Sequence, residues 1–355
     1  LARISNLMKE VNIAGSGIAG MSAAIYLSSK GIPVTIQERK SRPGQSRHGD
    51  YEGLENWIFD ENISSFFYKI GFDYSKIKSH PVNNFKVHVL DEEPLLVKNK
   101  EPFFYLVKRG VENNDFDNQL YEQCIDAGVD FRFNTIASNK CDIIATGTRK
   151  ASAYVCGSSF KTSEKNQVHL LLGHKFSPKG YAYLIICNGF GTIATAFKKV
   201  KNTNINYLDN CKEYFRKLNI DISNEKDFGS VGSFAFSSSK IRLPMHIGEA
   251  GGFQDYLFGF GMKMSMISGL AAGMYINSER SEAKMLLKKI NKKRRISFLN
   301  RILYERLSDE NMYYFAKKFS ISNNPLSILE QAYVWDYKAL VRWLKIKNRY
   351  EIRPS

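Results

Sequence analysis

The spacing of apolar positions changes period several times along this chain. Val11–Ala14 is a short apolar run that meets the hexad Gly15-Ser16-Gly17-Ile18-Ala19-Gly20. A small-residue helical stretch, Met21–Ser29, then leads through a Gly31-Ile32-Pro33 turn to a second apolar run, Val34–Gln37. This is the order of a β-α-β unit. Residues 41–57 carry turn formers and mixed charge, and read as a loop entering a helix. Polar and apolar residues alternate across 83–108, as in half-buried strands. At 115–128, Phe116, Leu120, Cys124 and Ile125 share one helical face, and Gly128 stops the helix. Val129–Phe133 and Cys141–Gly147 read as further strands. Short strand-like runs separated by turn residues fill 152–237 and predict an antiparallel sheet. Residues 245–276 give a strand end, a glycine-rich loop and a long apolar helix, and 279–355 are helical, basic and aromatic.

The pattern predicts an α+β protein: a Rossmann-type nucleotide-binding domain with an inserted antiparallel β-sheet domain and C-terminal helices. The nucleotide-binding part is discontinuous, over 8–70, 106–155 and 238–280. A β-rich substrate domain takes 71–105 and 156–237, and 281–355 forms a basic helical region. Nucleotide-binding segments that flank β-rich inserts point to a flavoprotein rather than a simple NAD dehydrogenase. There is no second G-x-G-x-x-G to hold NAD(P)H, so the electron donor is external and unidentified.

The hexad sets the chemistry of the first turn. Gly15 permits the tight turn, Gly17 lets backbone approach a pyrophosphate, and Gly20 lets helix pack on strand. Free N–H groups at the helix start favour phosphate. Glu38 ends the second strand, where a carboxylate accepts from ribose hydroxyls.

Charge changes the picture at the other end. The chain carries 51 Lys+Arg against 35 Asp+Glu, a net +16. Residues 281–355 hold 17 basic against seven acidic residues. Lys284, Lys288, Lys289, Lys292, Lys293, Arg294 and Arg295 accompany an apolar stripe of Leu286, Leu287, Ile290, Phe298, Leu299, Ile302 and Leu303, with Trp335, Tyr337, Trp343 and Leu344 beyond. A basic amphipathic segment with aromatics suits an anionic membrane surface, or else a helix packed on the domain with a wet basic face. Nucleic acid is disfavoured, because no recognised module is present. No apolar run nears the ~20 residues of a membrane span. Five scattered cysteines without a C-x-x-C pair point to a reducing, cytoplasmic compartment and no zinc site. Met8-Lys9-Glu10 reads as a natural start.

Five motifs in order resemble the FAD-dependent oxidoreductases of the geranylgeranyl reductase family, which have a p-hydroxybenzoate-hydroxylase-like fold. They are the hexad with Glu38, Lys108-Arg109-Gly110 followed by DFDNQL, the strand DIIATG at 142–147, Pro178-Lys179-Gly180-Tyr181-Ala182-Tyr183, and Ile247–Asp255 with Phe258-Gly259-Phe260-Gly261. The resemblance implies noncovalent FAD. Gly15, Gly17, Ile18, Ala19, Gly20, Glu38 and Arg39 would hold its ADP half, with Thr146 and Gly147 beside it. Arg109 would lie near the phosphate-ribityl side, and Gly248 and Glu249 beside the ribityl and pyrophosphate, where the family usually has Asp. Gly259, Gly261 and Met262 would start a helix whose N-terminus faces the flavin pyrimidine and stabilises the charge of the reduced ring. The implied reaction reduces C=C bonds of an isoprenoid or isoprenoid lipid.

For catalysis, Tyr181 and Tyr183 line a channel or pack in the sheet, and His48, Asp50 and Glu52 are proton donors or solvated loop residues. Some archaeal lipid reductases carry a cysteine after the second strand, whereas Ser41–Trp57 has none. Two other functions stay open: a flavin monooxygenase or lycopene-cyclase-like enzyme of the same fold, and a non-catalytic FAD-binding protein acting through its basic tail. The chain is expected to be a monomer.

Overall fold

A computed structural model describes residues 9–138, 140–147, 153–198, 206–232, 236 and 242–349, with side chains described to Ile346. Met8 and part of the strand-like run at 231–236 lie outside the described residues.

Three sheets carry the fold. The first is parallel, in spatial order β15 (Met245–His246), β9 (Ile143–Ile144), β1 (Val11–Ala14), β2 (Val34–Gln37) and β8 (Asp130–Arg132). The second has seven strands, in order β14 (Lys226–Gly232), β10 (Ala153–Lys161), β13 (Phe190–Lys198), β12 (Tyr181–Cys187), β11 (Gln167–Leu172), β5 (Asn84–Val89) and β6 (Leu95–Lys98). All its pairings are antiparallel except β11 with β5, which run parallel. A small antiparallel sheet, β3 (Tyr51–Glu55), β7 (Phe104–Lys108) and β4 (His80–Val82), joins the two.

Two helices pack on the parallel sheet, α1 (Ile18–Ser29) and α5 (Met262–Ile276), both small-residue helices buried all round. Their axes approach closely because a side chain on Gly269 would come 2.2 Å from the Ala19 carbonyl. The others are α2 (Ile63–Ile70), α3 (Phe116–Asp126), α4 (Tyr207–Lys217), α6 (Arg280–Tyr304), α7 (Asp309–Ser320), α8 (Pro325–Ala332) and α9 (Tyr337–Arg349). Asn62, Asn206, Ser308 and Asn324 cap α2, α4, α7 and α8 through side-chain acceptors.

Several expectations change in detail. Residues 51–55 form strand β3 rather than a helix, because Tyr51–Glu55 pair in register with Lys108–Phe104. Of the face read for α3, Phe116, Leu120 and Cys124 are buried but Ile125 is exposed. The strand read over Cys141–Gly147 is only Ile143–Ile144. Helix α4 was not anticipated. Most of the apolar stripe of α6 turns inward: Leu287, Ile290 and Leu299 lie in the core, as does Trp343 on α9, while Leu303 is exposed.

Candidate functional site

The glycine hexad closes on the parallel sheet in two different ways. Gly15 has φ +100°, and a side chain there would meet the Ala145 carbonyl at 2.5 Å. A side chain on Gly20 would meet the Gly15 carbonyl at 2.2 Å. Both glycines are therefore demanded by the protein's own backbone. Gly17 differs: its nearest contact would be the Ala145 carbonyl at 4.0 Å, with ordinary φ −68°. No described residue fills that space, and Gly17 caps α1 without any side-chain hydrogen bond. The first N–H groups of α1 therefore lack a side-chain acceptor beside an open cradle, which suits a pyrophosphate.

Glu38 sits next to this cradle. Its Oε2 accepts from Ser16 N and Ser16 Oγ, both at 2.9 Å, and its Oε1 accepts from Lys40 N at 2.8 Å. Ser16 thus orients the carboxylate at the lip of the loop. Arg39 is exposed, Thr146 is exposed and Gly147 is half-buried with φ +78°.

A cavity of about 1050 Å³ opens between the seven-stranded sheet, the start of α5 and the C-terminal helices. Strand alternation builds one wall: Tyr181, Tyr183 and Ile185 of β12 and Val168, Leu170 and Leu172 of β11 face it, since every second residue shares a side. Glu249, Gln254, Gly259, Gly261 and Met262 form its opposite end. Gly261 caps α5 without a side-chain hydrogen bond, so this helix too points an open N-terminus toward the hollow. Gly248 does not line the cavity; with φ +56° it packs against Ala19 and donates its N–H to Ser268 Oγ at 2.8 Å.

The Pro178–Tyr183 motif has a structural job as well. A side chain on Gly180 would come 1.7 Å from the Ala196 carbonyl, so only glycine lets β12 start there. Arg301 donates to the Lys179 carbonyl, and Tyr304 Oη donates to the Gly180 carbonyl at 2.5 Å, tying this turn to α6. Tyr181 Oη donates to the Phe258 carbonyl, which clamps β12 onto the loop before α5.

The proposed proton donors divide. His48 is exposed at the cavity edge, and its ring stacks on Phe228 at 4.6 Å between centroids. Asp50 is buried and also lines the cavity, and its Oδ1 has no hydrogen-bond partner among the described residues. Burial, with the charge of Glu52 nearby, raises the Asp50 carboxyl pKa above the ordinary carboxylate range. Burial raises the Tyr181 and Tyr183 hydroxyls too.

Arg109, which the resemblance puts near the phosphate-ribityl side, is held among the protein's own side chains. Its guanidinium is fully buried and bidentate to Asp117, at 2.7 and 2.8 Å, and Nη1 donates to Glu52 at 2.7 Å and to Met262 Sδ at 3.4 Å. It ties β7, α3, β3 and α5 into one unit, and its charge holds the Asp117 carboxyl low despite burial. Arg109 therefore acts here as a positioning residue.

Two organising residues were not assigned a role from sequence. Asp117 lay in the DFDNQL segment with no signal that it faced Arg109. Asp255 is buried under the loop before α5, where it accepts from Tyr333 Oη at 2.8 Å, Phe258 N at 2.8 Å, Leu257 N at 3.2 Å and from Ser297 Oγ. Its side-chain partners, Ser297 and Tyr333, lie 42 and 78 residues downstream, beyond the reach of local pattern.

The NAD(P)-binding Rossmann-like domain family matches residues 13–67. No curated protein matches the chain. Among solved structures, it is similar to a geranylgeranyl bacteriochlorophyll reductase-like protein from Thermoplasma acidophilum, at 17% identity and TM-score 0.64, covering 97% of this chain and 99% of that one. It is also similar to CmlS, a flavin-dependent halogenase, at 15% identity and TM-score 0.61, covering 96% and 78%. CtdE, solved with FAD and a substrate, matches at 12% identity and TM-score 0.56, covering 96% and 99%. At these identities the likeness establishes the FAD-binding α/β fold.

Proposed function

We propose that this chain is an FAD-dependent oxidoreductase that reduces C=C bonds of an isoprenoid or isoprenoid lipid. The observation that carries the reading is the large cavity walled by Val168, Leu170, Leu172 and Ile185, which ends at the open N-terminus of α5. FAD fits the residues present. Gly15, Gly17, Ile18, Ala19, Gly20 and Glu38 would hold its ADP half, and Gly259, Gly261 and Met262 would face its ring. When bound, FAD supplies two-electron hydride chemistry.

The chain's own contribution is placement and proton supply. The apolar walls exclude water and align an extended hydrocarbon. Reduction of a double bond adds one hydride and one proton, with the two electrons coming from an external donor. Asp50 stands in the wall as a carboxyl whose pKa is raised by burial, with Oδ1 free of partners among the described residues, so it is the candidate for that proton transfer. Arg109 keeps Glu52 and Met262 in place around it.

The fold also resembles a halogenase and a tetracycline destructase, so oxygen chemistry is the second reading. An anaerobic assay separates them. Protein loaded with FAD and reduced with dithionite is mixed with a geranylgeranyl lipid, and the flavin spectrum and product mass are followed. Reoxidation with a product two hydrogens heavier supports reduction, and Asp50→Asn should slow it on the order of a hundredfold or more while leaving the flavin band intact. Turnover seen only with NAD(P)H and oxygen would reassign the cavity to monooxygenation. Failure to bind FAD at all would remove both.

A further inference from the structure

We propose that the mouth of the cavity is a docking surface for an anionic lipid bilayer, formed by α7, α8 and α9. The inference rests on the reading of the cavity as an isoprenoid site, and adds where and how the substrate arrives.

Large apolar side chains are exposed unevenly. Among the described residues, nine of the 17 such side chains fall between Leu303 and Leu344. Leu303, Phe315, Ile328 and Val334, each 40–55% exposed, also line the cavity, so they stand at its opening. Lys318 and Arg342 share the same rim, together with Asp336. The apolar wall of the hollow therefore continues outward onto the protein surface, where basic residues border it.

Helix α9 shows how the sequence arranges this. Ala339 and Trp343 are buried. Tyr337, Leu340 and Leu344, spaced at three and four residues, are 78%, 39% and 53% exposed on the adjoining face. Lys338, Arg342 and Lys345 occupy a third face and are all exposed. A helix with one buried, one apolar-exposed and one basic face matches a lipid interface, where the apolar face sinks in and the cations meet anionic headgroups. An exposed rim of this kind would be costly in water for a protein with no partner. Lys318 and Arg342 at the rim, with Lys338 and Lys345 on the basic face of α9, select an anionic bilayer over a neutral apolar surface. The surface lies on α7–α9 with Leu303 at the end of α6, while Leu287, Ile290 and Leu299 of the α6 stripe are buried.

The test uses the full chain loaded with FAD and vesicles of phosphatidylcholine, with and without phosphatidylglycerol, read by co-sedimentation. Binding is expected only to the anionic vesicles and should weaken as salt is raised. Two surface variants lie outside the cavity lining: Tyr337→Ser/Leu340→Ser/Leu344→Ser, and Lys338→Glu/Lys345→Glu. Each should lower partition roughly tenfold or more while the flavin band stays unchanged. Absence of vesicle binding, or binding that neither variant weakens, overturns the proposal. So does a dimer in light scattering that the apolar variant dissociates, since the face would then be covered by a second copy. A protein that reduces detergent-dispersed lipid but ignores vesicles refutes docking alone, and one that binds vesicles but never turns over refutes the catalytic reading alone.

Discussion

The two faces of the seven-stranded sheet carry equally apolar sequence and meet opposite fates. On one face Leu171, Ala182, Leu184 and Ile186 pack under α4 with Leu208, Cys211 and Phe215, in a closed cluster. On the other, Leu170, Tyr183 and Ile185 wall a hollow of about 1050 Å³. Alternation along β11 and β12 places both sets without distinguishing them. What differs is what lies opposite: a helix that fills the space, or the start of α5 and the C-terminal helices that leave it open. A sheet can thus be a core on one side and a substrate wall on the other, and only packing reveals which.

The largest effect expected from this difference is at the closed face. Leu184 is fully buried within the α4 cluster. Leu184→Ala should destabilise by about 2–5 kcal/mol, since close-packed neighbours cannot collapse into the gap. Ile185→Ala, one residue on but facing the hollow, should cost less because the space beside it is already open. Urea midpoints of the two variants check the contrast, and equal losses would mean that the two faces are packed alike.

The closed face also contains a buried polar chain. Tyr214 Oη donates to His88 Nδ1 at 3.0 Å, His88 Nε2–H to His169 Nδ1 at 2.8 Å, and His169 Nε2–H to Gln167 Oε1 at 2.8 Å. This direction is assigned from the network: it gives each neutral ring one donor and one acceptor. A further proton on His169, at Nδ1, would set two N–H groups against each other, and one on His88, at Nδ1, would force the Tyr214 hydroxyl to turn from donor to acceptor. Burial accordingly lowers His88 to about 4 and His169 to about 3. In the unfolded chain both take up protons near 6.5, so unfolding binds protons that the native state refuses. The stability contribution is complete above pH 6.5 and is lost as pH falls toward 4, by up to about 3 kcal/mol for each ring. Urea midpoints from pH 7 to 4.5 should therefore fall more steeply for the wild type than for a His88→Leu/His169→Leu variant. Parallel slopes would show that the pair is protonated in the native state.

How far the sequence revealed these regions follows from the range of the interactions. The β1–α1 turn was readable from its glycine spacing: Gly20 collides with the Gly15 carbonyl five residues back, although the backbone that Gly15 meets, at Ala145, comes from far along the chain. The strands were readable from alternation. Helix α4 was not, since its buried positions, Tyr207, Leu208, Cys211 and Phe215, are interleaved with a charged face and give a mean hydropathy below zero. Arg109 illustrates the other limit. Its motif located it, yet its partners Glu52 and Met262 lie 57 and 153 residues away, so its role as a keystone needed the fold. The basic tail was visible as charge, but which apolar residues it presents depended on α6 turning Leu287, Ile290 and Leu299 inward.

The smallest expected effect tests the comparison most finely, because it stays on one strand and one chemical group. Tyr181 and Tyr183 both face the cavity from β12, two residues apart, with ring centroids 6.3 Å from each other. Tyr181 spends its hydroxyl on the Phe258 carbonyl and so belongs to the clamp between the sheet and the loop before α5. The Tyr183 hydroxyl forms no such clamp among the described residues, and burial, with the charge of Asp50, raises its pKa. Tyr181→Phe should therefore cost about 1 kcal/mol, the usual net worth of a hydrogen bond whose acceptor is left behind. Tyr183→Phe should stay within about 0.5 kcal/mol, as removal of a group from an open face does. Equal destabilisation by the two substitutions would mean that Tyr183 is clamped as firmly as Tyr181, and that the cavity face is a second closed core rather than a wall waiting for substrate.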